Sequence, residues 1–113
     1  MIESTILSFL DKAGLDAPVY MEIPEDPPEE FYVLENTGQS ITDHIRTTTL
    51  AVQSYAQSME RAADLAYEID EVIRETLPEL DAVAGVRRNS LYNFTDLSTK
   101  QYRYQGVYVI THY

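Results

Sequence analysis

The sequence contains no cysteine and no tryptophan, and it has only four glycines among 113 residues. Without cysteine the chain forms no disulfide, no thiolate metal site and no thiol nucleophile. The four glycines are isolated, so no phosphate-binding glycine loop is predicted. No apolar run approaches the roughly 20 residues that a membrane-spanning helix needs. The first residues, MIESTILSFLDK, lack the basic start and long apolar stretch of a signal peptide, so we expect the protein to act without export.

Basic residues are also scarce. Eight lysines and arginines stand against 19 acidic residues, which gives a formal net charge of −11. A chain with this charge repels nucleic acid over most of its surface. The length of 113 residues and the hydrophobic content of 44% predict one globular domain spanning residues 1–113.

Two segments show the three- and four-residue spacing of amphipathic helices. The first covers residues 2–13 and is followed by Gly14, a residue suited to a helix C-terminus. The second covers residues 58–76, with Ser58 as a candidate N-cap and Pro78 as a barrier to continuation. Its predicted buried stripe is Met59, Ala62, Ala66, Ile69 and Ile73, widened by Ala63, Leu65 and Val72. Its predicted solvated face is Glu60, Arg61, Asp64, Glu68, Glu71 and Glu75.

The remaining segments have the β-branched and aromatic composition of strands. Strands are predicted at 19–23, 31–38, 42–55, 82–93 and 101–113, with a hairpin turn at 36–38 and a possible bulge at Gly85. The segment PEDPPEE, residues 24–30, is predicted to be a loop because proline lacks the N–H that a strand ladder uses. The sequence therefore predicts an α+β two-layer fold: a mainly antiparallel sheet of four to five strands with two helices packed on one face.

Two of these strands carry apolar residues on both alternations. In the last strand Tyr108 and Ile110 alternate with Val107 and Val109. The strand at 42–55 behaves alike, with Leu50 and Val52 on one alternation and Ile45, Ala51 and Tyr55 on the other. Two helices on one face leave the other face uncovered, so we expect another copy or another protein to supply a second layer. The alternative is that these tyrosines and threonines tolerate partial exposure to water.

Candidate catalytic chemistry is sparse. His44 and His112 each lie in a predicted strand and could pair across the sheet, but two histidines without a third ligand are weak evidence for a metal site. No serine stands in a nucleophile-elbow frame, and a proline-rich loop is a poor support for a carboxylate pair. The interpretation is a protein that is not an enzyme and needs no metal or cofactor.

The few basic residues and the nine tyrosines point to contacts with other proteins. In the last hairpin four basic residues could come near one another: Arg87, Arg88, Lys100 and Arg103. They could balance the acidic helices, or they could contact the acidic surface of a neighbouring subunit. Tyrosine combines a large contact area with a polar tip and is enriched at protein interfaces.

Three stretches carry a resemblance to a known family. They are EDPPEEFYVLENTG (25–38), SYAQSMERAADLAYEI (54–69) and above all LYNFTDLSTKQYRYQGVYVITHY (91–113). They resemble the small tail-completion or "minor capsid" proteins of long-tailed bacteriophages, which are similar to the tail terminators, or tail-to-head joining proteins, of lambda-like phages.

The resemblance implies a structural protein that forms a ring, as a hexamer, at the head-proximal end of the tail tube. Its partners would be other copies of itself, the tail tube protein and a head-completion or neck protein, with DNA passing only in transit through the lumen and no membrane involved. It would be made in the host cytoplasm and reside in the tail–neck region of the virion. The alternatives are a head-completion or neck protein and an acidic protein-interaction adaptor.

Nine residues are our candidates for the subunit or partner interface. They are Glu25, Asp26, Glu29 and Glu30 of the proline-rich loop, Arg87 and Arg88, and Tyr102, Arg103 and Tyr104 of the last strand.

Overall fold

The structure, a computed structural model, describes residues 2–113. It has an α+β fold of two helices and one five-stranded sheet. The helices are α1 (Ile2–Asp11) and α2 (Met59–Glu75), and a short 3-10 turn covers Leu77–Glu79. The strands are β1 (Val19–Tyr20), β2 (Phe31–Thr42), β3 (Ile45–Ala56), β4 (Val83–Asn93) and β5 (Tyr102–His112).

The strands follow the order β1-β2-β3-β5-β4, so β5 lies between β3 and β4. Three neighbouring pairs are antiparallel, and β1 and β2 are parallel. Two helices and a mainly antiparallel sheet of four to five strands were predicted, but the parallel pair was not. The loop at 21–30 returns the chain to the level at which β1 begins, so β2 runs beside β1 in the same direction. The Tyr32 amide donates a hydrogen bond to the Pro18 carbonyl at 2.9 Å at this point. The strand predicted at 19–23 is only two residues long.

The first hairpin differs from its prediction. The turn expected at 36–38 is a bulge within β2, where the Gly38 amide donates to Asn36 Oδ1 at 3.0 Å and the ladder to β3 shifts. The turn lies instead at Asp43 and His44, whose φ angles of 50° and 68° are the two positive values of a tight type I′ hairpin. The bulge expected near Gly85 is confirmed by the register shift between Val83 and Gly85.

Both predicted helices form, with slightly shorter bounds. Gly14, just beyond α1, has a φ of 77°, the left-handed conformation that follows many helix C-termini. At the start of α2 the Ser58 hydroxyl accepts a hydrogen bond from the Arg61 amide at 3.2 Å, so the predicted N-cap is confirmed. Pro78 lies in the 3-10 turn that ends this helical segment.

The hydrophobic core joins both helices to one alternation of the strands. Ile6 and Leu10 of α1 and Leu65, Ile69 and Ile73 of α2 belong to this cluster. Its strand members are Val19, Tyr32, Leu34, Leu50, Val52, Ala56, Val83, Tyr108 and Ile110. A separate small cluster contains Phe31, Val33 and Tyr55 from the other alternation, with Tyr20 packed against it. The sheet therefore has two faces that differ in what they contact.

Candidate assembly surface

Each face can be followed across the sheet because alternate residues of a strand point to opposite sides and paired residues share a side. The core face carries Leu50 and Val52 of β3 and Tyr108 and Ile110 of β5, all in the helix-containing cluster. The intervening residues form what we call the second face. Five rows of paired side chains cross this second face, beginning on β2 at Phe31, Val33, Glu35, Gly38 and Ser40.

The first row is aromatic and ends in a cation. Phe31 pairs with Tyr55, Tyr55 with Arg103, and the Phe94 amide with the Arg103 carbonyl. The Phe31 and Tyr55 rings stack at 4.5 Å between centroids, 4° from parallel. The Arg103 guanidinium lies 4.6 Å from the Phe94 ring centroid and 5.9 Å from that of Tyr55. Rings and guanidinium thus form a continuous strip across one end of the sheet.

The second row is held together by amide side chains. It contains Val33, Gln53, Gln105 and Tyr92. Gln53 Nε2 donates to Gln105 Oε1 at 2.8 Å, and Gln105 in turn bonds the Tyr92 hydroxyl. These bonds fix long side chains flat on the sheet, so the row presents an ordered surface.

The other three rows consist largely of small side chains. They are Glu35–Ala51–Val107–Ser90, Gly38–Thr49–Val109–Arg87 and Ser40–Thr47–Thr111–Gly85. Apart from Glu35 and Arg87, no side chain in them is larger than valine. The middle of the second face is therefore flat, and another backbone layer can approach it closely.

The charge of the second face differs from that of the rest of the chain. Glu35, Arg87 and Arg103 are its charged residues, so its net charge is +1. With −11 on the whole chain, the remaining residues carry −12. Arg87 is exposed, and its side chain forms no hydrogen bond or ion pair with another residue in 2–113. The second face is therefore the place where an acidic neighbour meets the least repulsion.

The core face is organised around a buried carboxylate, Asp70 of α2, whose side chain is 2% exposed. Its Oδ2 accepts hydrogen bonds from Arg74 Nε at 2.9 Å and Arg88 Nη1 at 3.1 Å, and its Oδ1 accepts one from the Tyr108 hydroxyl at 2.7 Å. Gly106 makes room for this arrangement, because a Cβ there would lie 2.8 Å from the Tyr108 ring. The network ties α2 to both β4 and β5.

Burial raises the pKa of Tyr108 above its usual value, and the hydrogen bond to Asp70 and its charge add to that rise. Burial also raises the pKa of Tyr32, whose hydroxyl donates to the Leu65 carbonyl at 3.1 Å. Both tyrosines thus remain protonated and act as donors between helix and sheet.

The predicted interface loop at 24–30 is split between two roles. Glu30 binds Arg61 of α2 through two hydrogen bonds of 2.6 and 3.0 Å, which raise the pKa of Arg61 further above its usual range. Glu25, Asp26 and Glu29 are exposed. A cleft of about 340 Å³ brings this loop against the start of β5; its lining includes Pro27, Pro28, Glu29, Lys100 and Tyr102. Two of the three predicted interface segments therefore adjoin.

The predicted clustering of the basic residues in the last hairpin is wrong. Arg88 lies on the core face with Asp70, whereas Arg87 and Arg103 lie on the second face. Arg87 pairs with Val109, six residues from Arg103 along β5, so about 20 Å separates the two arginines at the rise of a strand. Tyr102 and Tyr104 pack against the hydrophobic core.

The two histidines are not arranged as predicted. His44 lies in the hairpin turn and not in a strand. His112 is buried and its Nε2 is 2.8 Å from the Thr48 hydroxyl. Within residues 2–113 no group of three or more histidine, aspartate or glutamate side chains is placed to hold a metal ion. No helix in that range is long and apolar enough to cross a membrane.

Comparison with known proteins adds no assignment. No protein-family model matches the sequence, and no curated protein is detectably similar to it. The resemblance to phage tail terminators therefore stays a prediction, and the surfaces described above carry the functional argument.

Proposed function

We propose that the protein is a structural component of a long-tailed bacteriophage that forms a ring at the head-proximal end of the tail tube. There it ends tube polymerisation and joins the tail to the neck of the head. In this proposal the helices cover the core face alone, the sheet acts as a mainly antiparallel platform, and the second face binds another subunit.

The second face is the observation that carries this proposal. Its two central strands present the half-buried Val107 and Val109 in flat rows beside Ala51, which is buried like Phe31 and Tyr55 of the adjacent aromatic strip. The small cluster on this face contains no helix residue among those described. A second protein layer would favourably remove from water the part that stays accessible, around Val107 and Val109.

The charge distribution favours a ring over a random aggregate. Most of the surface is acidic and repels other copies, whereas the second face carries a net +1. Copies that meet through this face and a different surface of the next subunit form a heterologous contact, which closes into a ring when the rotation is right. The location at the end of the tail tube comes from the resemblance to tail terminators, which lies in residues 25–38, 54–69 and 91–113.

Negative-stain electron microscopy with and without open-ended tail tubes tests the proposal. We expect rings that cap tube ends and stop their growth. The matched control is Val107→Glu, which buries a charge in the contact and should leave the fold intact but lose the caps. Rings that bind isolated heads and ignore tubes would favour a neck protein, and a monomer that binds neither would overturn the proposal.

A further inference from the structure

The outer surface of α2 carries a stripe of side chains that face away from the sheet. Its members are Glu60, Asp64, Tyr67, Glu71 and Glu75, which follow one another at spacings of four, three, four and four residues and are all exposed. We call this set the acidic stripe. It has four acids and a single aromatic at its centre, Tyr67, with 59% of its surface exposed.

The acids of this stripe are largely unused within the subunit. Glu60, Asp64 and Glu71 form no ion pair with another residue in 2–113, and Glu75 only approaches Arg74 at 3.9 Å. By contrast, Arg61 and Glu68 of the same helix bind the segment at 16–30: Arg61 binds Glu30, and Glu68 accepts the Asp16 amide at 3.1 Å. The predicted solvated face of α2 thus has two parts: Arg61 and Glu68 bind residues of the same subunit, and the acidic stripe is exposed to solvent.

We propose that the acidic stripe of one copy packs on the second face of the next copy, so that each subunit offers two different surfaces to its neighbours. This rests on the proposed self-assembly and names the surfaces that perform it. The occupant of the second face is a second copy of this chain.

The spacing of the charges fits this contact. Arg87 and Arg103 stand about 20 Å apart along the strands; the row of Gln105 and Tyr92 and the flatter row of Ala51 and Val107 lie between them. The acidic stripe covers 16 residues from Glu60 to Glu75, about 22 Å at the helical rise, with Tyr67 near its middle. A helix laid along the strands therefore places acids near both arginines and an aromatic ring on the small apolar residues.

The signs of the charges favour this pairing over the symmetric alternative. Two second faces packed against each other would join two surfaces of net charge +1, with one acid, Glu35, on each. Two acidic stripes packed together would oppose four acids with four acids. Pairing one of each joins a net +1 surface to a net −4 surface, which lowers the electrostatic energy and sets the orientation.

A charge-reversal mixing experiment tests this contact. Arg87→Glu changes the second face, and the double variant Glu71→Lys with Glu75→Lys changes one end of the acidic stripe. The variant Glu60→Lys with Asp64→Lys changes the other end and reports the direction of the helix. Lys12→Glu is the matched control, since it gives the same net charge of −13 as Arg87→Glu from an exposed position on neither surface.

We expect Arg87→Glu to raise the protein concentration at half-assembly by about tenfold or more, and Lys12→Glu to raise it much less. One of the two stripe variants should be impaired to a similar degree. Mixing it with Arg87→Glu should restore assembly, because every contact in an alternating ring is then either native or charge-reversed on both sides. Mass photometry or sedimentation velocity supplies the readout.

Three outcomes would overturn the inference. If Arg87→Glu disrupts assembly but neither stripe variant does, another surface opposes the second face and the proposed ring survives. If both kinds of variant are impaired but mixing restores nothing, the two surfaces do not meet. If the native protein stays monomeric throughout, the inference fails together with the proposed function.

Discussion

The two faces of the sheet are made by the same strands but differ in the contacts that their side chains make. The core face buries leucine, isoleucine and tyrosine against the helices and pairs its polar groups around Asp70. The second face has flat rows of half-buried valine and threonine around the buried Ala51, with long side chains fixed by hydrogen bonds among themselves. Because neighbouring residues of β5 lie on opposite faces, substitutions one position apart test different faces of the sheet.

This contrast separates folding from association. Changes on the core face should alter the free energy of unfolding, whereas changes on the second face should alter assembly at nearly constant stability.

Removing the Asp70 carboxylate should produce the largest change. Asp70→Ala leaves Arg74, Arg88 and the buried Tyr108 hydroxyl without their shared acceptor. We expect a loss of about 3–5 kcal/mol in the free energy of unfolding, because three hydrogen bonds to a charged acceptor are lost and the buried Tyr108 hydroxyl is left without a partner. Denaturant unfolding monitored by circular dichroism measures it.

The control for this variant is Glu71→Ala, one residue further along the same helix and exposed. It should change the free energy of unfolding by no more than about 0.5 kcal/mol. Equal losses in the two variants would mean that Asp70 acts only through helix propensity or net charge.

Neighbouring residues of β5 allow a direct comparison of how much each face contributes to stability. Ile110 is fully buried on the core face, so Ile110→Ala should cost about 2–5 kcal/mol of stability through lost burial and a cavity. Val109 lies on the second face and is half-buried, so Val109→Ala should cost about 1 kcal/mol or less. Thermal and denaturant unfolding of the two variants, at protein concentrations too low for assembly, measures both losses. A larger loss of stability in Val109→Ala than in Ile110→Ala would contradict the assignment of the faces.

High pH should weaken the core face specifically. The folded protein keeps the protons of Tyr32 and Tyr108 above pH 10, because burial raises both pKa values, while the unfolded chain releases them near pH 10. The unfolded state then binds fewer protons, so the free energy of unfolding should fall as pH rises, by up to about 2.7 kcal/mol per pH unit for two groups.

Tyr108→Phe removes one of the two titrating groups, so it should reduce this slope by about half. Denaturant unfolding at a series of alkaline pH values gives the slope for the native protein and the variant. A native slope near zero, or one unchanged in Tyr108→Phe, would show that these hydroxyls do not carry the alkaline instability.

The sequence predicted local features well. The N-cap at Ser58, the break at Pro78 and the positive φ at Gly14 depend on residues within a turn of the helix end, and all three are found. The alternation in β5 also placed Tyr108 and Ile110 together, because a two-residue period is a property of a single strand.

Features that depend on distant residues were missed. The pairing of β1 with β2 is decided by where the loop at 21–30 returns, which no local pattern contains. The hairpin turn was misplaced because Asn36 and Gly38 are a stronger turn signal than Asp43 and His44. The buried position of Asp70 was not predicted, although its spacing of four residues from Ala66 places it on the buried side of α2.

The candidate interface was predicted only in part. Arg87 and Arg103 do lie on the second face, but the tyrosines beside Arg103 turn to the core and Arg88 binds Asp70. Neighbouring residues in a strand face opposite sides, so a set chosen as consecutive letters divides between the two faces.

The mass of the native protein in solution tests the central proposition, that the second face is completed by another subunit. Sedimentation equilibrium over a wide range of protein concentrations should show the 12.9 kDa chain converting to one defined multiple of that mass. A mass of 12.9 kDa at every concentration, unchanged when open-ended tail tubes are added, would contradict it.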